Sequence, residues 1–170
     1  MRCAFWAWAE TELGTFLVAT TERGVCFLGL NEESALQKLK DFVASVDPSA
    51  PVRRDDDLLE QAVRELTEYA SGSRRTFDVA LDLHGTPFQV AVWNELARIP
   101  FGETRTYGQI ARAVGRPRGA QAVGGANGRN PIPIIVPCHR VLAGDGIGGF
   151  SGGLDRKHQL LAHEGVLLGF

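Results

Sequence analysis

Asn130-Pro-Ile-Pro-Ile-Ile-Val-Pro-Cys-His-Arg-Val141 decides how the rest of the chain is read. Three prolines stiffen an apolar run, and Pro137 fixes the backbone's approach to Cys138. A proline there suits the first turn of a helix, where unpaired N–H groups favour a thiolate. His139 offers a base and Arg140 a nearby positive charge. Adjacency does not establish contact, because neighbours in a strand point to opposite faces. The competing reading is a buried structural cysteine, a common fate of that residue. Cys3 and Cys26 lie in strand-like runs and fit that description. Cys138 is set apart by its Pro, His and Arg neighbours.

Downstream, residues 154–163 have a helical pattern and Gly165 is a natural stop. Glu164 then falls in the last turn, where a carboxylate opposes the helix macrodipole. A histidine is a plausible partner for it, and a Cys–His–Glu relay follows the logic of a nucleophile activated by an oriented base. The alternative is a solvated acid. Gly144-Asp-Gly-Ile-Gly-Gly149 matches G-x-G-x-x-G, but no βαβ unit surrounds it and another turn follows. A dinucleotide site is therefore excluded. A tight loop that lets a planar ligand approach the backbone is the better reading.

Upstream, Thr106-Tyr-Gly-Gln109 has the form of a capping box. Ile110, Ala111 and Val114 face inward, and Gly115 closes the helix. Arg116-Pro-Arg-Gly119 is a short turn. Ala120, Val123 and Gly124 form the stripe of a second helix ending near Asn127-Gly128. Two short helices, a tight turn and flanking arginines fit a helix-turn-helix. A solvated helical hairpin fits as well. Before this block, Thr86 caps a helix with Pro87 at its first position and Phe88, Ala91, Val92, Leu96 and Ile99 on its apolar face.

The N-terminal part reads as an antiparallel meander from residues 3–9, 15–20 and 25–30, followed by helices over 32–46 and 55–70. Pro48 and Pro51 mark a loop, and residues 76–83 read as one more strand. Composition shifts at His84-Gly-Thr-Pro87, giving two domains, 1–84 and 85–170.

The chain has 170 residues, 44% hydrophobic and 22% charged, which excludes disordered and low-complexity classes. The net charge of −2 taken alone argues against nucleic acid. It is unevenly spread: residues 1–97 carry −7, residues 98–140 carry +6, and the remainder −1. The basic block contains the helix-turn-helix and Cys138. Three cysteines at irregular spacing fit no disulfide framework. With no signal-peptide pattern and no apolar run near the roughly 20 residues of a membrane span, the expectation is a cytoplasmic protein.

Pro137-Cys-His-Arg-Val141, preceded by Gly124-Gly-Ala-Asn-Gly-Arg-Asn-Pro131 and followed by Ser151-Gly-Gly153 and His163-Glu-Gly165, resembles the methylated-DNA–protein-cysteine methyltransferases. Pro87-Phe-Gln89, Trp93, Ile99-Pro100, Gly102 and Tyr107-Gly-Gln-Ile-Ala111 extend the resemblance, which covers about half the chain. It implies an α+β protein: an N-terminal α/β domain with a small antiparallel sheet, ribonuclease H-like, and a mostly helical, winged-helix-like C-terminal domain with a helix-turn-helix. It also implies direct-reversal repair of double-stranded DNA. The helix-turn-helix would enter the minor groove and flip O6-alkylguanine, or O4-alkylthymine, out of the stack. The alkyl group would pass irreversibly and once to Cys138, with the protein acting as a monomer.

By the same resemblance, His139 would take the thiol proton through a water and Glu164 would orient His139. Asn130 would brace the turn before the cysteine loop. Tyr107 would crowd the target phosphate and donate to the base. Thr106, Gln109, Arg116, Arg118, Ala120, Gln121, Ala122, Gly124 and Arg129 would contact DNA. Pro133, Val141, Phe150, Ser151 and Gly152 would line the guanine pocket. Two positions depart from the family pattern: Phe150 replaces a common tyrosine, and Gln121 replaces an arginine that fills the gap left by the flipped base. No cofactor is implied. Some members carry zinc, for which Cys3, Cys26 and His84 supply three ligands but no clear fourth. Two other functions stay open: a Cys–His hydrolase, which would turn over, and a lesion-binding module that does not transfer.

Overall fold

The computed structural model describes residues 1–168 and divides into two compact units, the first Met1–His84 and the second starting at Gly85. In the first unit, β1 (Ala4–Thr11), β2 (Gly14–Thr21) and β3 (Gly24–Gly29) form an antiparallel meander. α1 (Glu32–Val46) starts at Asn31, whose side chain accepts from the backbone N–H groups of Glu33 and Ser34. Its buried stripe of Ala35, Leu39 and Val43 packs on Ala4, Leu17, Ala19, Cys26 and Phe27. Phe16 and Val18, the alternate residues of β2, are also buried, as expected of a strand covered on both faces. α2 (Glu60–Ser71) packs on β1.

Three details differ from the sequence expectation. Residues 52–54, in the segment that the prolines mark as loop, form β4 (Val52–Arg54), which pairs parallel with β1 and makes the sheet order β3-β2-β1-β4. Three residues, two of them arginine, are too short a run to show a strand period. Residues 76–83 make a single bridge, Leu81 to Val25, rather than a strand. α2 begins at Glu60 because Asp55 accepts from the Leu58 backbone N–H and holds the preceding turn.

In the second unit, α3 (Pro87–Leu96) begins with a capping box between Thr86 and Gln89. β5 (Arg105–Thr106) leads into α4 (Tyr107–Ala113), which Thr106 and Gln109 cap in the same reciprocal way. Gly115 turns the chain at φ 76°, a left-handed conformation that glycine adopts without strain. α5 (Ala120–Gly128) follows and packs on α3 and α4. Val92, Trp93, Leu96, Ile110, Ala111, Val123 and Ala126 are the buried residues between them. The Trp93 indole N–H donates to the Ala126 carbonyl at 2.8 Å and fixes α5 against α3. A 3-10 turn (Cys138–Arg140), β6 (Val141–Leu142) and α6 (Leu154–His163) complete the unit. β6 pairs parallel with β5, Arg105 opposite Val141 and Thr106 opposite Leu142. That pairing sets Tyr107, the first residue of α4, beside the segment that carries Cys138.

Among the described residues no helix is long and apolar enough to cross a membrane.

Candidate active site

Cys138 opens the 3-10 turn and is buried, 1% exposed. Its own N–H donates to the Val136 carbonyl at 2.8 Å, and the backbone N–H groups of Cys138 and His139 at the start of the turn still pull on the thiol. Burial raises the thiol to about 11, against the opposing pull of the Asn130 side chain, the Lys157 charge and local backbone N–H groups. At rest the sulfur holds its proton.

His139 is fully buried and Glu164 is 5% exposed. Nε2 of His139 lies 2.7 Å from Oε1 of Glu164. Glu164 is held down to about 2: burial alone would raise it, and the hydrogen bonds from His139 and Arg140 outweigh that. An ionised carboxylate only accepts, so the imidazole proton sits on Nε2 and Nδ1 is the free acceptor. Nδ1 has no hydrogen-bond partner among the described residues. Burial also lowers the His139 pKa, which keeps the ring neutral and able to receive a proton.

Arg140 has another task than the sequence suggests. Its Nε and Nη2 grip both Glu164 oxygens, at 2.9 and 2.8 Å, and Nη1 donates to the Ile99 carbonyl. The Gly102 backbone N–H also points at Glu164, at 3.4 Å. The carboxylate at the end of α6 is thus offset by His139 and Arg140 together. Arg140 serves Glu164, and Lys157 supplies the positive charge felt at Cys138.

Lys157 is fully buried on α6. Its ammonium donates to the Val141 carbonyl at 2.7 Å and the Gly149 carbonyl at 2.9 Å. Burial lowers it to about 8. It joins β6 to the glycine loop on one side of Cys138. The sequence held a signal for it: Lys157, Leu160, Leu161 and Glu164 share one helical stripe, and charges on an apolar stripe are there for a reason. Asn127 shows the same signal on the stripe Val123, Ala126, Asn127, Asn130. It is 4% exposed, and its Nδ2 donates to the Cys138 carbonyl at 3.2 Å.

Asn130 braces the cysteine loop. Nδ2 donates to the Val136 carbonyl at 2.8 Å, and Oδ1 accepts from the Ile132 N–H at 3.0 Å. Between them Ile134 is held at φ 71°, the one non-glycine residue with positive φ among the described residues. Tyr107 is partly buried, with its hydroxyl 3.5 Å from the Gly149 carbonyl. A Cβ added to Gly148 would lie 2.9 Å from that hydroxyl, so the loop backbone closes directly on the phenol. Pro133 and Val141 are buried, Phe150 is partly buried, and Ser151 and Gly152 are exposed.

Across the helix-turn-helix, Gln109, Arg116, Arg118, Ala120, Gln121, Ala122 and Arg129 are exposed, while Thr106 and Gly124 are partly covered. Thr106 Oγ1 and Gln109 Oε1 are engaged in the capping box. The +6 block resolves into two sets. Arg98 pairs with Glu95, Arg105 with Glu103 and Arg140 with Glu164. Arg112, Arg116, Arg118 and Arg129 remain exposed without a carboxylate partner among the described residues, and Arg116 lies over the Phe88 ring at 5.2 Å.

The proposed zinc ligands have other surroundings. His84 Nε2 is 2.8 Å from Asp82, Cys26 is buried with its thiol pushed up to about 12 by burial, and Cys3 Sγ is 3.7 Å from the Ala4 carbonyl. Among the described residues no group of three or more His, Cys, Asp or Glu side chains is placed to hold a metal ion.

A family model for the DNA binding domain of 6-O-methylguanine DNA methyltransferase matches residues 87–166, and one for its ribonuclease-like domain matches residues 4–83. The chain is 40% identical over 162 residues to a methylated-DNA–protein-cysteine methyltransferase of Methanosarcina acetivorans, covering 95% of this chain and 98% of that one. It is similar to the crystal structure of Mycobacterium tuberculosis O6-methylguanine methyltransferase, with a TM-score of 0.82, 37% identity and coverage of 98% and 96%. It is also similar to that of M. tuberculosis OGT in complex with DNA, with a TM-score of 0.80, 38% identity and coverage of 94% and 92%.

Proposed function

The chain belongs to the 6-O-methylguanine DNA methyltransferase family, and from that premise we propose that it repairs DNA by moving the alkyl group of O6-alkylguanine onto Cys138 Sγ, once per molecule. The observation that carries this reading is the free Nδ1 of His139, locked as an acceptor by Glu164 on the residue next to Cys138.

The steps balance simply. His139 Nδ1 takes the thiol proton, directly or through a water, and Glu164 stabilises the imidazolium. The thiolate attacks the alkyl carbon, a carbon–sulfur bond forms, and the bond from that carbon to O6 breaks. The guanine anion regains a proton, so the thiol hydrogen ends on the base. The product is a thioether, which has no acyl carbonyl for water to attack. Among the described residues no group near Cys138 offers a route back to the thiol, so each molecule acts once.

Arg116, Arg118 and Arg129 suit phosphates, and the short side chains of Ala120, Ala122 and Gly124 suit close approach of α5 to the minor groove. Thr106 and Gln109 contact DNA beside the start of α4. Tyr107 turns from Gly149 toward the target base and phosphate. Pro133, Val141, Phe150, Ser151 and Gly152 surround the guanine. Gln121 enters the stack in place of an arginine, without its charge. The protein works as a cytoplasmic monomer without cofactor.

The test compares the wild type with Cys138→Ser on duplex DNA carrying O6-methylguanine. The variant should bind the duplex and leave the lesion intact. Repair by Cys138→Ser would contradict the reading. Continued turnover of excess substrate by the wild type would point instead to hydrolytic chemistry.

A further inference from the structure

We propose that Asn127 is a positioning residue for transfer at Cys138: from the end of α5 it fixes the Cys138 carbonyl, and its Oδ1 joins Nδ1 of His139 in holding the water that carries the thiol proton away. The proposal rests on the transfer reading above and adds a residue and a role to it.

Two buried side-chain atoms lack a hydrogen-bond partner among the described residues, Asn127 Oδ1 and His139 Nδ1. Both belong to groups attached at Cys138. Asn127 donates to its carbonyl at 3.2 Å, and His139 is the next residue in the chain. Both are acceptors. The Asn127 amide cannot be turned over, since that would set Oδ1 against the Cys138 carbonyl oxygen. The His139 tautomer cannot change while Glu164 is ionised. Two acceptors cannot satisfy each other, and each is costly to leave unpaired. A water donates twice and accepts from a third group, and buried waters commonly make about three hydrogen bonds. The third partner here is the Cys138 thiol, whose proton passes to the water oxygen while a water proton passes to Nδ1. The Asn127 acceptor holds the other water hydrogen and so fixes the direction of the relay.

A packing role and a positioning role for Asn127 predict opposite orders for two variants. Asn127→Leu fills the site and excludes water. Asn127→Ala leaves space for a second water to replace the amide. The expected result is a single-turnover transfer rate lower by about tenfold in Asn127→Leu, a smaller loss in Asn127→Ala, and unchanged affinity for lesion DNA in both. The pH profile separates the roles further. In the wild type the rate should level off near neutral pH, where His139 is the acceptor. In Asn127→Leu it should keep rising with pH, because the thiol must ionise without the relay. Thermal melting identifies a variant that fails to fold, and the remaining variant then carries the comparison through its rate and pH profile. A rate in Asn127→Leu equal to wild type, a wild-type pH profile in that variant, a rate in Asn127→Ala at or below that of Asn127→Leu, or an Asn127→Ala rate equal to wild type would overturn the proposal. A wild type that transfers nothing would instead remove the transfer reading itself.

Discussion

A lysine ammonium buried against two carbonyls is held at a cost, and Lys157 is such a group, with no carboxylate partner among the described residues. Its charge is best matched when Cys138 is a thiolate, so the two groups stabilise each other during attack. Lys157→Met keeps the length and removes the charge. The thiol should then become harder to ionise, and single-turnover transfer near pH 8 should slow by about tenfold for each unit of thiol pKa gained. Iodoacetamide labelling of Cys138 should slow in parallel. Rates equal to wild type would assign the thiolate's stabilisation to other groups. Glu164 makes a second prediction. Its pKa falls from 4.5 to about 2 on folding, so its contribution to stability is complete above 4.5. That contribution is lost as pH falls through the window from 4.5 to 2. Glu164→Gln should flatten the decline of melting temperature across this window and lower stability at neutral pH by about 3 kcal/mol, since it leaves Arg140 buried without its counter-charge.

The elements around the site are short, and their ends matter more than their middles. α4 is seven residues long, and its start is held by the reciprocal bonds of Thr106 and Gln109. Thr106→Ala should cost about 1 kcal/mol in chemical denaturation. Because Thr106 also pairs in β5 opposite Leu142, the loss should loosen Tyr107 as well. The Thr106–Gln109 capping box was legible, because hydroxyl and amide side chains three residues apart are a local signal, and so was the Thr86 cap, though not its box with Gln89. α1 and α6 were legible from their apolar stripes. β4, β5 and β6 were not, since two or three residues show no period and their partners lie far along the chain. The His139–Glu164 pair was legible from residue type and helix-end position. Asn127 and Lys157 were missed because a polar residue on an apolar stripe is easily passed over as tolerated. Arg140 was misassigned because its proximity to Cys138 in sequence hid its reach to Glu164.

At the scale of the whole molecule, a net charge of −2 conceals a basic face. Within residues 98–140 the structure narrows it to Arg112, Arg116, Arg118 and Arg129, the arginines of that block with no carboxylate partner among the described residues. Each one that meets a phosphate should add about 0.9 to the slope of log affinity against log salt. Arg118→Gln should therefore lower both affinity and slope, equally for damaged and undamaged duplex. Gln121→Arg should act differently, tightening binding to lesion DNA more than to intact DNA, because it stabilises the stack once the base has left. Equal gains on both duplexes would remove Gln121 from that gap. The central claim is tested most directly by mixing the protein with excess duplex containing O6-methylguanine and mapping the product by peptide mass. The account predicts one methyl group per molecule, on Cys138, with no further repair however long the reaction runs. Methyl on another residue, or more than one lesion repaired per molecule, would contradict it.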